Sequence, residues 1–381
     1  MKLTNCEIFD SDKREFIRGS VTVNEDEGII ESVHYGDDSL DGINLEGRLL
    51  IPGFVDAHTH GRCGYDFTTA SKDQMKLMAE GYLKNGVTTV MPTLASAPMG
   101  NLVSASRSIN SLKECSGGAR FAGIHLEGRY LNASKRGAHS PDLIAPLDAD
   151  ELLVLIDEMK TPCHISAALE LDADGSFMKA ALEKGATLGL GHTAATCRQA
   201  LEIYEKGRVS FTHTYNAMTP LHHREAGVCG AALLCDGYCE LICDGVHICP
   251  EVVDLTYRVK GSERLVLITD SIEATGYGDG QYQIAGLSIT VKNGKALTAD
   301  GTLAGSTLEL ADGVKNLVRF AGIRLEDALN CATRNPAAML GLNDCGVIEK
   351  GKRADLLIAK RSDADIFEIE SIIMGGVLTN V

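Results

Sequence analysis

The sequence predicts an α/β protein built on a (β/α)8 barrel of the TIM type, and three observations point to this fold. The chain has 381 residues, 44% hydrophobic and 23% charged, which suits a globular protein larger than one small domain. Apolar, strand-like runs alternate with helix-like stretches through the middle of the chain. Polar residues able to bind metals recur where those runs end, and a barrel carries its active site at that end.

The two ends of the chain differ from the middle. Residues 1 to about 50 are β-rich stretches broken by Gly, Asn and Asp, and the residues from about 346 onward have the same character. We therefore predict one small β-sandwich-like domain formed by residues 1–50 together with 346–381. Residues 51–345 form the predicted barrel.

The alternating middle supplies eight candidate strands and the helices between them. Several helix-like stretches begin with Ser, Thr or Asp and end with Gly, as capped helices do. Residues 281–307 break the alternation and predict one or two hairpins inserted after the last strand. A doubly wound open sheet is the alternative fold, and the positions of the polar residues favour the barrel. The predicted strands are 51–57, 87–95, 121–128, 164–171, 187–193, 209–217, 239–247 and 264–271.

The ends of five strands carry six side chains that are common metal ligands. Imidazole and carboxylate groups suit zinc, iron(II), manganese or cobalt, and residues two apart in a strand share one face. We therefore predict a divalent metal site and take zinc as the first choice of ion. The six residues are His58 and His60 in strand one, Glu127 in strand three, His192 in strand five, His213 in strand six and Asp270 in strand eight.

Two further histidines lie in predicted strands but away from these ends. His125 precedes Glu127 by two residues, so it faces the same way from one layer deeper in the barrel. His164 lies at the start of its strand, which is the opposite end from the active site. We predict that both are structural and that His125 has a hydrogen-bonding partner.

A cluster of this kind predicts hydrolysis assisted by a metal ion. A divalent ion polarises a carbonyl group and activates water, and a nearby carboxylate can pass the proton to the leaving group. Asp270 ends an apolar strand and is our candidate for that acid and base, although its position also suits a further metal ligand. A catalytic serine is a poorer account because the chain has no Gly-x-Ser-x-Gly. The glycine-rich residues 276–280 do not open a helix after a strand and do not predict nucleotide binding.

Charge and cysteine content narrow the partners and the compartment. The net charge of −16 argues against nucleic acid and anionic membranes as partners. The 12 cysteines include no Cys-x-x-Cys and predict free, buried thiols. The chain shows neither a signal peptide nor an apolar run of about 18 residues, so we expect a cytoplasmic location. An anionic small substrate remains possible because two loops at the catalytic end are basic. They contain Arg129, Lys135, Arg136, His222, His223 and Arg224.

The order of the ligands along the strands resembles the amidohydrolase superfamily, as does a small β domain built from both termini. Many two-metal members carry a lysine at the end of strand four, whereas this chain has HISAALELD there and Glu127 on strand three. That variation resembles the N-acetylglucosamine-6-phosphate deacetylase family, and the resemblance covers nearly the whole chain. It is carried by HLEGRYLNASKRGAHSP, GHTAAT, FTHTYNAMTPLHHREAG, LICDGVHI, LITDS, GTLAGSTL and ATRNPAAMLGL.

The resemblance implies hydrolysis of the acetamido group of N-acetyl-D-glucosamine 6-phosphate, in amino-sugar catabolism. It assigns the principal metal to Glu127, His192 and His213, and it assigns a second ion to His58 and His60, so that one or two ions bind per subunit. Asp270 is then the acid and base, and His139 helps to polarise the acetyl carbonyl. The implied substrate contacts are Ala138, His139, Asn216, Ala217, Arg224, Asp244, His247, Leu303, Ala304 and Gly305.

Within that set, Asn216 and Ala217 correspond to phosphate contacts. Arg224 corresponds to an arginine that reaches the phosphate, often from the neighbouring subunit of a homodimer. The chain departs from the family where Arg129-Tyr130 follow HLEG, in place of proline and an aromatic residue. This departure leaves the preference among amino-sugar phosphates open. Two rival functions also remain: another amidohydrolase, acting on a different acetamido sugar or a cyclic amide, and a sugar-phosphate sensor without catalysis.

Overall fold

A computed structural model describes residues 1–36, 41–113, 117–160 and 162–380 of the protein and has two main parts. The first part is an eight-stranded sheet made from both ends of the chain. Its strands, numbered along the whole chain, are β1 (Lys2–Asp10), β2 (Glu15–Asn24), β3 (Ile29–Tyr35), β4 (Ile43–Asn44), β5 (Leu49–Pro52), β20 (Leu356–Ser362), β21 (Ile366–Met374) and β22 (Val377–Asn380). The main path of the sheet runs in the order β22-β21-β20-β5-β1-β2-β3, and β4 pairs with β1.

This terminal sheet folds around a core of its own. Leu3, Val21 and Ile358 are among the buried side chains that fill it, as expected from strands with one apolar face. The Ile30 N–H donates to the carbonyl oxygen of Lys352 at 2.8 Å, which brings β3 against the segment before β20. The prediction that both termini build one β structure is confirmed.

The second part is a barrel of eight parallel strands, and it confirms the predicted fold class. The Asp270 N–H donates to the His58 carbonyl oxygen at 2.8 Å, and the His60 N–H donates to that of Ser271 at 2.8 Å, so the last strand meets the first. The short strand β10 (Arg120–Phe121) also pairs with β9. The barrel strands are β6 (Phe54–Thr59), β9 (Val87–Ala95), β11 (Ile124–Glu127), β12 (Cys163–Ala167), β13 (Thr187–Leu190), β14 (Ser210–Phe211), β15 (Cys239–Ile242) and β16 (Leu265–Ile268).

Gly53 lies where the chain passes from the terminal sheet into the barrel, between β5 and β6. A Cβ atom at Gly53 would lie 2.1 Å from Oγ1 and 2.4 Å from Cγ2 of Thr88, so no larger residue fits without rearrangement. The prediction of one strand over residues 51–57 was therefore wrong in one respect. That apolar run is shared by two strands in two different sheets, because apolar character alone does not show where a strand changes partner.

Helices cover the barrel, and their ends follow the predicted cap chemistry. Ser71 and Thr196 each form a capping box with a Gln three residues later, and Gly322 ends its helix with a positive φ of 64°. None of the described helices has the length and apolar character needed to cross a membrane. The helices are α1 (Lys72–Lys84), α2 (Met99–Asn110), α3 (Ala149–Met159), α4 (Ser176–Glu183), α5 (Cys197–Gly207), α6 (Gly227–Leu234), α7 (Pro250–Lys260), α8 (Leu310–Ala321), α9 (Leu325–Leu329) and α10 (Arg334–Met339).

The predicted insertion after strand eight is a three-stranded antiparallel sheet, which we call the flap. It consists of β17 (Gly280–Ile284), β18 (Leu287–Lys292) and β19 (Lys295–Thr298). Its apolar face packs against Ala138, Ile272 and Ala304, next to the catalytic end of the barrel. A short ribbon of β7 (Gly61–Arg62) and β8 (Tyr65–Asp66) lies just after β6.

The interior histidines occupy structural positions as predicted, and the described cysteines are free as predicted but not all buried. Cys249 is exposed, and Cys63, Cys197 and Cys235 are half-buried. The 11 cysteines in the described ranges carry free thiols, and Cys115 lies outside those ranges. The His125 ring is buried between the hydroxyls of Thr93, at 3.1 Å from Nδ1, and Ser166, at 2.8 Å from Nε2. His164 is also buried, with its Nδ1 2.9 Å from the Thr187 hydroxyl.

Candidate active site

The Glu127 carboxylate at the end of β11 is the centre of the site, because four imidazoles converge on it. Oε1 lies 2.7 Å from Nε2 of His213 and 3.2 Å from Nε2 of His192. Oε2 lies 2.9 Å from Nε2 of His60 and 3.3 Å from Nε2 of His58. The five side chains leave strands one, three, five and six, so the barrel brings together residues far apart in sequence.

Asp270, which follows strand eight, supplies a second carboxylate to the cluster. Its Oδ1 lies 3.3 Å from Nε2 of His60 and 3.5 Å from Nε2 of His58. Burial raises the pKa of Asp270, but the charges of these two histidines lower it by more, so the carboxyl group is ionised. The cluster therefore places two negative charges among imidazole nitrogens.

The backbone at the site adopts an uncommon conformation. His192, His213 and Asp270 have positive φ values of 47°, 31° and 48°. Side chains other than glycine rarely adopt this region, and each instance costs about 1–3 kcal/mol. All three follow a barrel strand at the point where the chain turns out of the barrel, so the strain accompanies the inward direction of the side chains.

The cluster has the spacing and the donor set of a divalent metal site. Oε1 of Glu127 and Nε2 of His192 and of His213 form a triangle with sides of 2.7, 3.0 and 3.2 Å. Donors bound to one ion at about 2.1 Å stand roughly 3.0–3.4 Å apart. Two sides of the triangle fall in this range and the third, at 2.7 Å, is shorter, so the three atoms converge nearly as the ligands of one ion do. Nitrogen and oxygen donors of these types bind zinc and its neighbours.

The His58 and His60 side of the cluster also fits a cation. Nε2 of His58 is buried and has no hydrogen-bond partner among the described residues, although it faces two carboxylates. Burial lowers the pKa of His58, but the charges of Glu127 and Asp270 raise it by more, well above its usual value. The position therefore favours a positive charge, whether a proton or a metal ion carries it.

Neighbouring groups hold the ligand rings in place. The main-chain oxygen of Lys135 accepts a hydrogen bond from Nδ1 of His192 at 2.8 Å, which leaves Nε2 of that ring free to face Glu127. The Glu240 carboxylate lies 3.4 Å from Nδ1 of His58 and accepts a hydrogen bond from the Ser210 hydroxyl at 3.1 Å. Sequence reasoning missed Glu240, although a carboxylate in the middle of an otherwise apolar strand was a visible signal.

His139 reaches the cluster from the loop after β11. Its Nε2 lies 3.8 Å from Oε2 of Glu127, and its Nδ1 lies 2.9 Å from the Ser96 hydroxyl oxygen. That oxygen also accepts the Arg129 main-chain N–H at 2.9 Å, so the Ser96 hydroxyl can donate its own hydrogen to His139. Burial, and then the charge of His192, lower the pKa of His139 to about 3, so the ring is neutral. When Ser96 donates to Nδ1, the single ring proton is on Nε2.

A cavity of about 300 Å³ opens above the cluster and contains most of the predicted site. His60 and the Glu127, His192, His213 and Asp270 side chains line its floor. The predicted substrate contacts that line it are Ala138, His139, Asn216, Ala217, His247, Leu303 and Gly305.

Four predicted residues lie outside the lining of this cavity. His58 is fully buried beneath it, and Ala304 is buried under the flap. Asp244 accepts a hydrogen bond from Nδ1 of His247 at 2.7 Å and so orients a residue that does line the cavity. Arg224 is exposed, lies 2.8 Å from Nε2 of His223 through Nη1, and lines a separate open cavity beside α5.

The basic loops contribute less positive charge to the cavity than the sequence suggested. Arg129 forms two hydrogen bonds to Glu151, at 3.0 and 3.1 Å, and Tyr130 donates to the same carboxylate at 2.8 Å. These contacts tie the loop to α3, and the Arg129 charge is already paired. Lys135 lines the cavity.

Comparison with known proteins places this geometry among related enzymes. Residues 49–378 match the sequence profile described as the amidohydrolase family. The chain is 36% identical to the N-acetylglucosamine-6-phosphate deacetylase of Bacillus subtilis, over 84% of the chain and 82% of that protein. It is 34% identical to the N-acetylgalactosamine-6-phosphate deacetylase of Escherichia coli O157:H7, over 82% of the chain and 84% of that protein.

A solved structure gives the same result for the fold. It is that of an aspartate-to-alanine variant of the N-acetyl-D-glucosamine-6-phosphate deacetylase of Mycobacterium smegmatis, in complex with N-acetyl-D-glucosamine 6-phosphate. Its TM-score to the chain is 0.91 at 29% identity, with 100% of the chain and 99% of the solved chain covered. The resemblance indicated by the local sequence strings is therefore confirmed.

Proposed function

Because the chain belongs to the amidohydrolase family, we propose that it hydrolyses the acetamido group of N-acetyl-D-glucosamine 6-phosphate to D-glucosamine 6-phosphate and acetate. The observation that carries the proposal is the floor of the cavity, where Glu127 meets four imidazoles beside the ionised Asp270. Hydrolysis assisted by a metal ion needs this combination of ligands with an adjacent acid and base. A sensor without catalysis has no need of it.

The metal ligands in this proposal follow the two sides of the cluster. Glu127, His192 and His213 hold the principal ion, and their donor atoms already converge nearly as one ion requires. His58 and His60 hold a second ion, so that one or two ions bind per subunit. When bound, a divalent ion polarises the amide carbonyl and lowers the pKa of water towards ~7. Zinc is the first choice for the ion, and iron(II), manganese and cobalt suit the same donors.

Asp270 moves the proton in the proposed reaction. Its carboxylate accepts a proton from the attacking water and then donates it to the nitrogen of the leaving amine as the C–N bond breaks. Burial at the end of strand eight keeps this carboxylate next to the imidazoles and partly removed from bulk water. His139 donates a hydrogen bond from Nε2 to the acetyl carbonyl oxygen, since Ser96 occupies its Nδ1.

The remaining cavity residues bind the sugar phosphate in this proposal. Asn216 and Ala217 contact the phosphate, and His247, oriented by Asp244, contacts the sugar. Leu303, Ala304 and Gly305 close over the substrate beneath the flap. Arg224 lies away from this subunit's cavity, which supports a homodimer in which it reaches the phosphate held by the partner.

N-acetyl-D-galactosamine 6-phosphate is a second candidate substrate, because the galactosamine relative is nearly as similar as the glucosamine one. The two sugars differ only in the configuration at C4. Acetate release from each phosphorylated sugar, and from unphosphorylated N-acetyl-D-glucosamine, distinguishes these substrates. We expect the highest kcat/KM with N-acetyl-D-glucosamine 6-phosphate, and acetate release from none of the three would disprove the proposed function.

A further inference from the structure

Lys135 connects the candidate metal cluster with the segment proposed to bind phosphate. It ends a short 3₁₀ turn, Ala133–Lys135, in the loop after β11. Its main-chain oxygen accepts a hydrogen bond from Nδ1 of His192 at 2.8 Å. Its Nζ donates to the main-chain oxygen of Met218 at 3.1 Å. The side chain thus extends from the cluster to the residue that directly follows Asn216 and Ala217.

Lys135 is also the only lysine or arginine that lines the cavity, within the ranges that the structure describes. The cavity floor carries the Glu127 and Asp270 carboxylates together with the imidazoles of His60, His192 and His213. The basic neighbours are committed elsewhere: Arg129 is paired with Glu151, and Arg136 donates to the His139 carbonyl oxygen at 3.0 Å. Apart from the imidazoles of the floor, an anionic group entering this cavity meets one basic side chain among the described residues of this subunit, that of Lys135.

The Lys135 ammonium group retains the capacity to bind a ligand. An ammonium group has three N–H donors, and the Met218 carbonyl oxygen accepts one of them. In the described part of the chain, no carboxylate lies within 4.0 Å of this Nζ to neutralise it. Hydrogen bonds from a charged donor to phosphate oxygens are about twice as strong as those between neutral groups.

We infer that Lys135 determines specificity for the phosphate of the substrate, as the ammonium group that each subunit contributes to its own cavity. The inference rests on the proposed function for the identity of the substrate. It differs from the expectation for Arg224, which lies outside this subunit's cavity. Lys135 supplies charge where Asn216 and Ala217 supply neutral hydrogen-bonding groups.

The test is the Lys135→Met variant of the metal-loaded protein, which removes the ammonium group but keeps the main-chain oxygen that holds His192. We expect kcat/KM for N-acetyl-D-glucosamine 6-phosphate to fall about 10- to 100-fold, mainly through KM, because one charged hydrogen bond is lost. We expect kcat/KM for unphosphorylated N-acetyl-D-glucosamine to stay within about twofold of the wild-type value, since a twofold change is only about 0.4 kcal/mol. Lys135→Arg should restore much of the loss, and Lys179→Met, on the exposed face of α4, is the matched control.

Two results would overturn the inference. An unchanged kcat/KM for the phosphorylated sugar would exclude a contact with phosphate. An equal loss for both sugars would show that the side chain only positions the loop. Calorimetric titration with inorganic phosphate tests the phosphate contact separately from the proposed function. If the wild-type protein releases no acetate, a weaker phosphate affinity in Lys135→Met still supports a phosphate contact at Lys135. Equal phosphate affinities in the two proteins reject that contact.

Discussion

The Glu240 carboxylate lies 3.4 Å from Nδ1 of His58 in the interior of the barrel. It is fully buried, and among the described residues no lysine or arginine contacts it. Burial raises the pKa of Glu240, but hydrogen bonds from His164 and His58 lower it by more, so it remains ionised. A carboxylate can only accept hydrogen bonds, so Nδ1 of His58 is the donor to Glu240. Nε2 of the same ring faces Glu127.

This arrangement predicts that Glu240 strengthens His58 as the metal ligand proposed above. Glu240→Gln keeps the size of the side chain but removes the charge that fixes the ring and raises its basicity. We expect the affinity for the ion on the His58 side to fall about 10- to 100-fold, as for other such outer partners. Competition with a chelator measures this affinity, and the exposed Glu183→Gln is the control. Equal zinc affinity in the two variants would show that Glu240 does not act through the metal.

Substitutions on the two sides of the cluster, one formed by His58 and His60 and the other by His192 and His213, should differ in their effect on metal content. Glu127→Ala removes the carboxylate that both sides share, and we expect it to abolish metal binding. His58→Asn removes one ligand from one side, and we expect it to leave at least one ion per subunit. Elemental analysis of the purified variants measures both. Loss of all metal from His58→Asn would contradict the assignment of the principal ion to the opposite side.

Asp270→Asn should separate catalysis from metal binding. The amide occupies the same volume but accepts no proton from water at neutral pH, so we expect kcat to fall about 10²- to 10⁴-fold. Metal content should stay near the wild-type value, because Glu127 and the imidazoles are retained. Acetate release and elemental analysis are measured on the same sample. Near-native turnover in this variant would remove Asp270 from the mechanism.

His139 predicts a specific pH dependence. Its pKa is lowered to about 3, below the usual value near 6.5, so its ring stays neutral throughout the range of pH 5–8. The fall of kcat/KM on the acidic side of its pH profile, its acidic limb, therefore reports the protonation of a group other than His139. We expect His139→Gln to lower kcat/KM at every pH but to leave the midpoint of that limb unchanged. A shift of the midpoint by one pH unit or more would assign the limb to His139.

The same lowered pKa has a consequence for stability. Between pH 3 and 6.5 the unfolded chain protonates this histidine and the folded chain does not, so the unfolded state binds more protons. The His139 contribution therefore opposes folding increasingly as the pH falls below about 6.5. His139→Gln should accordingly lose less unfolding free energy than the wild-type protein between pH 7 and 5, which urea titration measures.

The sequence predicted well which candidate ligands lie together, because of a property of parallel barrels. Side chains at the C-terminal ends of the strands meet at one end, so Glu127, His192 and His213 could be placed together without a structure. Glu240 could not be assigned in this way, because its role depends on which ring lies across the barrel from it. The position of Arg224 beside a different cavity could not be predicted either, because it depends on the path of a loop. Strand periodicity does not determine loop paths.

The junction between the two sheets could not be predicted either, because it depends on a contact made across the fold. A Cβ atom at Gly53 would lie 2.1 Å from Oγ1 of Thr88, and Gly53 is flanked by buried strands on both sides. Gly53→Ala forces either the junction or the Thr88 side chain to move. We expect it to lower the free energy of unfolding by about 1–3 kcal/mol, as overpacking does.

Gly100 in α2 is the matched control for this substitution, because a Cβ atom there meets nothing within 4 Å. Gly100→Ala should raise the unfolding free energy by roughly 0.5–1 kcal/mol, since alanine favours the helix and restricts the unfolded chain. Chemical denaturation of both variants measures the two opposite changes under the same conditions. If Gly53→Ala proved as stable as the wild-type protein, the contact with Thr88 would not be what requires glycine. The double variant Gly53→Ala with Thr88→Ala tests that contact directly, and it should recover part of the loss, because the Oγ1 and Cγ2 atoms that obstruct the Cβ are removed.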